Sequence, residues 1–327
     1  MTTTSLGRSG IQVSALGLGA WSIGGPITRS GKPVSWGEVD DDESIRAIHR
    51  ALELGVTFFD TADTYGAGHS ERVLGRALSG QRDRVVIATK FGHLYNESQR
   101  TVAGTDTSPD YVRRACEASL RRLDTDYIDL YQLHCGTDSD AESLAVRDVL
   151  EELVEVGKIR AYGWSTDDVA QAELFSGGDH CTAIQHDLNL LQDSPDMIAS
   201  CEKHGLASVN RGPLARGLLT GKFTADSRLP DDDLRSRNFD WMRHFVDGRP
   251  KPDSLAKLDA VREILRSDGR SLAQGALAWL WARSDCTVPI PGFKTVAQVE
   301  DNAGAMAYGP LRPDQMTEIK ALLSPAS

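Results

Sequence analysis

Short apolar runs rich in β-branched residues alternate with longer segments of helical period along most of the chain. The runs predict strands at Ala15–Gly19, Thr57–Ala62, Arg84–Lys90, Ile128–His134, Arg160–Ser165, Ala183–Asn189, Leu206–Gly212 and Thr287–Gly292. Helices are expected between and after them. Asp41–Leu54 places Ile45, Ile48, Ala51 and Leu52 on one face and stops at Gly55. Another opens at Ser108-Pro109-Asp110, with a capping Ser and Pro in the first helical position. Leu144–Val156 ends at Gly157, and Ser254–Leu265, Leu272–Arg283 and Asp314–Leu323 follow. Ahead of the alternation, Thr2–Leu6 and Ile11–Ser14 flank Gly7-Arg8-Ser9-Gly10, whose residues suit the turn of a hairpin.

Strands separated by helices pair in parallel, because only a crossover returns the chain to the same end of a sheet. Eight of them predict a closed (β/α)8 TIM barrel with an N-terminal β-hairpin cap. An open doubly wound sheet would carry G-x-G-x-x-G after its first strand to approach a pyrophosphate. The nearest match, Gly17 to Ser22, ends in Ser and leads into no predicted helix. A barrel of this length is one domain, spanning 1–327.

In such a barrel, chemistry sits at the C-terminal ends of the strands. Several strands here end in polar groups: Asp60, Lys90, His134, Ser165, and Gln185 with Asn189. Asp60 and Lys90 can simply neutralise one another. Tyr65, five residues past Asp60 on the following loop, adds a second reading. A phenol has a pKa of about 10, so it is protonated at neutral pH. A nearby ammonium should stabilise its phenolate and lower that value. The carboxylate would keep the lysine charged, and an imidazole could hydrogen-bond a substrate oxygen. Together, Asp60, Tyr65, Lys90 and His134 make a proton donor for a carbonyl oxygen. Neither Tyr nor Lys does redox chemistry, so a cofactor must supply the reducing power.

Composition narrows the partners. With 36 Lys and Arg against 47 Asp and Glu, the 327-residue chain carries a formal charge of −11. Nucleic acid is not an expected partner, since phosphate backbones demand clustered cations. Arg113–Arg114 and Arg121–Arg122 read as a solvated helix face. No run approaches the ~18 apolar residues of a membrane span, and the first residues lack a signal-peptide core. Five cysteines without a CxxC fit a reducing cytoplasm. His180, His186, His204, Cys181 and Cys201 hold one Cys-x-x-His and no second ordered pair, so no metal is expected.

The segments FFDTADTYGAGHSERVLG, VIATKFG, LRRLDTDYIDLYQLH and IRAYGWST resemble the aldo-keto reductase superfamily, and the match runs from the hairpin to about Asn302. GLGAWSIGG, GHSE and NRGPLARGLLTGKF are similar to the bacterial branch with inositol-operon and general-stress reductases. The resemblance implies NADPH-dependent reduction of a small aldehyde or ketone, with Tyr65 as general acid. It implies nicotinamide contacts from Ser165 and Gln185. Arg211 stands where many relatives carry an aromatic residue stacked on the nicotinamide. Pro213, Leu214, Gly217 and Lys222 should lie along the diphosphate, with Arg235 either a further anion contact or solvent-facing. Gly292, Lys294, Gln298, Asp301 and Asn302 match the adenosine end. A cation at Lys294 would pair with a 2′-phosphate and favour NADP(H) over NAD(H). Trp21 should line the nicotinamide end as a cofactor contact and, with Phe91, the substrate pocket, although Trp21 can also be read as a core residue. Ser70 and Glu71 match a helix cap and first-turn carboxylate. The outer pocket wall should come from long polar connections around Ile27–Trp36, Gly92–Thr107 and Arg228–Pro252.

Two other functions share these residues. Relatives that regulate potassium channels bind NADP(H) as redox sensors, and some carry Asn where this chain has His134. An aldose or polyol dehydrogenase would run the chemistry backward, with Tyr65 as phenolate. A monomer is the family-level default.

Overall fold

The computed structural model describes residues 3–231 and 233–324. Thr2, at the start of the expected hairpin, lies outside these, as do Asp232 and both extreme ends of the expected 1–327 domain. We label the barrel strands β1 (Gly17–Gly19), β2 (Phe58–Asp60), β3 (Val86–Phe91), β4 (Ile128–Leu133), β5 (Ile159–Ser165), β6 (Cys181–Asp187), β7 (Ala207–Arg211) and β8 (Thr287–Pro289). They form one eight-stranded sheet, each strand beside its sequence neighbour and parallel to it. The ring closes where Gly19 bridges Gly292 in parallel and its N–H donates to the Pro291 carbonyl at 3.0 Å.

Alternation decides what fills the ring. Phe58, Val86, Ala88, Leu130, Ala161, Ala183, Val209 and Val288 form a cluster inside the barrel. Their strand neighbours, such as Phe59, Ile87, Tyr131 and Ile184, belong to a second cluster that includes the helices. Burying one such side chain contributes roughly 1.5–3 kcal/mol. The hairpin Thr3–Ser5/Gln12–Ser14 adds Leu6, Ile11 and Val13 to the inner cluster. Arg8 ties it down, donating to the Cys181 carbonyl at 3.0 Å where β6 begins. One end of the barrel is thereby stoppered, and the C-terminal strand ends are left for a site.

Helices flank the strands largely where period predicted them, including Asp41–Glu53, Pro109–Leu123, Asp140–Glu155 and Leu272–Arg283. Ser70 and Arg122 differ from expectation. The helix His69–Ala77 is capped by Gly68, and the Ser70 hydroxyl instead donates to the Ala20 carbonyl. Glu71 stands in the first turn but is fully buried, accepting from Thr89 and from the Arg122 guanidinium, both at 2.6 Å. Arg122 therefore does not belong to a solvated face: a buried carboxylate requires a partner, and this arginine supplies it.

Two of the long connections are structured. Thr28–Arg29/Lys32–Pro33 and His93–Asn96/Thr101–Thr105 are hairpins that join through Thr28 and Thr101 into a four-stranded sheet. The third carries a short hairpin, Phe245–Val246/Arg249–Pro250. No helix among the described residues is long and apolar enough to cross a membrane.

Candidate active site

The C-terminal strand ends open into a cavity of about 1000 Å³. At its floor, Lys90 leaves β3 pointing into the barrel and is completely buried. Its ammonium donates to Asp60 at 2.6 Å, to the Thr61 carbonyl at 2.7 Å and to the Tyr65 hydroxyl at 3.4 Å. The second oxygen of Asp60 accepts from Gln185 at 2.8 Å and Gln132 at 3.1 Å. Both buried charges thus have their hydrogen bonds, which is what makes such a pair tolerable. Burial pushes the Lys90 ammonium down, but Asp60 and Tyr65 more than offset this, and its pKa ends above the ordinary value.

The loop after β2 fixes Tyr65. A Cβ at Gly66 would lie 1.6 Å from the Gly24 carbonyl oxygen, and Gly66 has a φ of 61°. Only glycine permits that approach. The Tyr65 ring stacks on Trp21 at 6.0 Å and meets His134 edge-on at 5.9 Å. His134 in turn meets His93 at 5.1 Å. Burial lowers His134 well below its usual range, helped by the charges of Lys90, Arg211 and Arg29, so it is a neutral imidazole at pH 7. Burial also pushes His93 down to about 4. The effect of Lys90 on Tyr65 differs from expectation. Burial raises the phenol above 10, and the ammonium offsets only part of that rise.

Away from Tyr65 the cavity becomes a lane of cations. Lys222, Arg235 and Lys294 all line it. Burial lowers both lysines, and Arg235 lowers each further. Asp233 accepts from Arg235 at 2.6 Å, while Lys294 donates to the carbonyls of Trp36 at 2.6 Å and Glu38 at 3.1 Å. Lys222 has no hydrogen bond or ion pair among the described residues. Gln298 accepts from the Lys294 N–H at 2.7 Å, and Asn302 donates to the Gly292 carbonyl at 3.4 Å, bracing this end.

Of the residues singled out from sequence, Asp60, Tyr65, His134, Trp21, Ser165, Gln185, Arg211, Pro213, Leu214, Gly217, Lys222, Arg235, Gly292, Lys294, Gln298, Asp301 and Asn302 line this one cavity. Gln185 spends its amide hydrogens on Asp60 and Gln132. Arg211 pairs with Asp167. Phe91 is a correction. It is absent from the cavity wall, fully buried and stacked on Tyr131 at 4.5 Å. Since Lys90 points inward, its neighbour on the strand points outward.

Sequence reasoning missed several residues of the site. Gln132, fully buried behind Asp60 and not part of the cavity wall, was findable: it lies two residues before His134 and pairs in register with Lys90. Arg216 was not. It follows Ala215 in a left-handed stretch, with φ of 57° and 48°, and its guanidinium lies 5.7 Å from the Trp21 ring and 5.6 Å from that of Trp241. Among the described residues no cluster of His, Cys, Asp and Glu is arranged to hold a metal ion.

Residues 15–324 match the Aldo/keto reductase family. The chain belongs to that family. The aldo-keto reductase YhdN of Bacillus subtilis (strain 168) is 32% identical over 305 residues, which cover 92% of this chain and 87% of the relative. The solved structure of a glycerol dehydrogenase from Gluconobacter oxydans is 31% identical, with a TM-score of 0.83 over 99% of this chain and 97% of that one. An aldo/keto reductase from Klebsiella pneumoniae, solved in complex with NADP and acetate, is 26% identical, with a TM-score of 0.74 over 100% of this chain and 97% of that one. This aldo-keto reductase is accordingly an NAD(P)H-dependent oxidoreductase with a (β/α)8 barrel, and its family acts on small carbonyl compounds.

Proposed function

We propose that the chain reduces a small aldehyde or ketone to the alcohol with NADPH, and that Tyr65 gives the proton. The observation that carries this is the shared Lys90 ammonium, 2.6 Å from Asp60 and 3.4 Å from the Tyr65 hydroxyl at the cavity floor. When bound, the nicotinamide supplies the hydride. The Tyr65 hydroxyl donates its proton to the carbonyl oxygen as that oxygen becomes an alkoxide. Neutral His134 hydrogen-bonds the same oxygen and orients it. Lys90 stabilises the phenolate left on Tyr65, and Asp60, held by Gln132 and Gln185, keeps the ammonium charged and aimed.

The residues fit the cofactor. Lys222, Arg235 and Lys294 crowd three cations into one lane of an acidic protein, and the Lys222 ammonium, without a partner among the described residues, is a place for phosphate. Pro213, Leu214 and Gly217 would follow the diphosphate, with Ser165, Gln185 and Arg211 at the nicotinamide. Gly292, Gln298, Asp301 and Asn302 would hold the adenosine, with Lys294 against a 2′-phosphate. Burial raises the Tyr65 phenol above 10, so it is protonated at neutral pH, the state from which carbonyl reduction starts. An NADPH-oxidation assay over a panel of aldehydes tests the proposal. Repeated turnovers with alcohol formed in equal amount are expected. A single turnover with every carbonyl would leave the redox-sensing reading in its place.

A further inference from the structure

Around Tyr65 the acidic groups of the cavity are engaged. Asp60 is held by Lys90, Gln132 and Gln185, Asp167 pairs with Arg211, and Asp187 lies 3.7 Å from Arg216. Arg216 itself stands beside two indole rings. Arg29 is different. It lies on the strand Thr28–Arg29, in register with Lys32 of its own hairpin and Val102 of the next. Its side chain makes no hydrogen bond or ion pair among the described residues, yet it lines the cavity with His93 and His134. Its charge reaches both imidazoles, and after burial it helps keep them neutral. Ile27, Val34 and Val102 line the same cavity with apolar surface.

We propose that the carbonyl substrate carries an anionic group, a carboxylate or a phosphate, and that Arg29 binds it while the carbonyl oxygen lies at Tyr65 and His134. This rests on the carbonyl-reduction reading above. A guanidinium meets either anion through two parallel N–H donors, so it both attracts and orients the substrate. Arg29 is exposed at the cavity rim, and the apolar neighbours Ile27, Val34 and Val102 would take the carbon frame of the substrate. A chain of net charge −11 repels anions at long range, so a local cation without a partner among the described residues, in the cavity that Tyr65 and His134 line, is what would admit one.

The test compares kcat/KM at saturating NADPH for 4-carboxybenzaldehyde, 4-formylphenyl phosphate and the uncharged methyl ester of the first. The wild type should prefer an anionic aldehyde over the ester by roughly tenfold or more, the range of one charge-assisted hydrogen bond. Which anion is preferred identifies the group. R29Q should collapse the preference, R29K should keep part of it, and R243Q, which removes an equal charge from the same cavity, should retain it. Equal use of ester and acids by the wild type overturns the proposal and leaves reduction standing, as does a preference that survives R29Q or falls equally in R243Q. Turnover of no aldehyde, charged or neutral, removes the reduction reading and this proposal together.

Discussion

The two ends of the cavity treat charge in opposite ways. At the floor, Lys90 and Asp60 are buried, paired and fully hydrogen-bonded. In the lane, Lys222, Arg235 and Lys294 face the cavity beside Asp233, and burial, with Arg235 adding to it, lowers both lysines. A satisfied pair is preorganised: it holds a proton donor in place and does not move to meet a ligand. A row of under-compensated cations does the reverse and gains most when an anion arrives. In the function proposed above, the floor serves chemistry and the lane serves capture.

Tyr65→Phe should separate the ends most sharply. Turnover should drop by about 10²–10⁴-fold, while NADPH affinity, read by fluorescence titration, stays where it was. Reduction by the Phe variant at the wild-type rate would show that the proton comes from elsewhere.

Lys90→Met tests whether the floor is a coupled pair. Leaving Asp60 buried without its cation, held only by Gln132 and Gln185, should cost about 3–5 kcal/mol in urea unfolding. Adding Asp60→Asn should recover much of that loss, and additive losses would mean that the two groups do not depend on one another.

Acid should loosen the fold through three buried histidines, of which His93 lines the cavity. Burial pushes His93, His186 and His244 down to about 4. The unfolded chain takes up protons below its ordinary value of about 6.5, whereas the native state refuses them until about 4. Stability from these neutral rings is complete above about pH 6.5 and is lost as the pH falls toward 4. Each contributes at most about 3 kcal/mol. The urea midpoint should fall across that window, and a flat profile would contradict the burial of these rings.

Lys294→Ala probes the lane alone. NADPH should bind roughly tenfold more weakly, the worth of one charge-assisted contact, with NADH little changed. An unaltered ratio of the two affinities would remove the 2′-phosphate role. Raised salt should mimic this loss, since exposed charges are screened and buried ones are not.

Much of the floor was legible in the chain. Asp60, Lys90 and His134 stand at the ends of apolar runs, and runs of that kind become strands whose ends meet. Tyr65 follows at a fixed distance along one loop. Phe91 was misplaced because adjacency to Lys90 was read as proximity, when alternation sends the two to opposite faces. His93, Arg29 and Trp241 come from connections without period; folding of the first two into hairpins, and of the third connection around Trp241, brings them into the cavity that Tyr65 lines. Arg122 looked like a surface charge because its partner, Glu71, is 51 residues away.

The sequence by itself determined the eight strands, their order and the chemical character of their ends, because period and β-branching are local properties of the chain. Tertiary structure decided which charges are satisfied and which are left open. Whether Lys90 is neutralised, Tyr65 raised or His134 kept neutral, and whether Arg29 finds a partner among the described residues, depends on burial and on groups tens or hundreds of residues away. Those are properties of a closed barrel, and a linear pattern does not contain them.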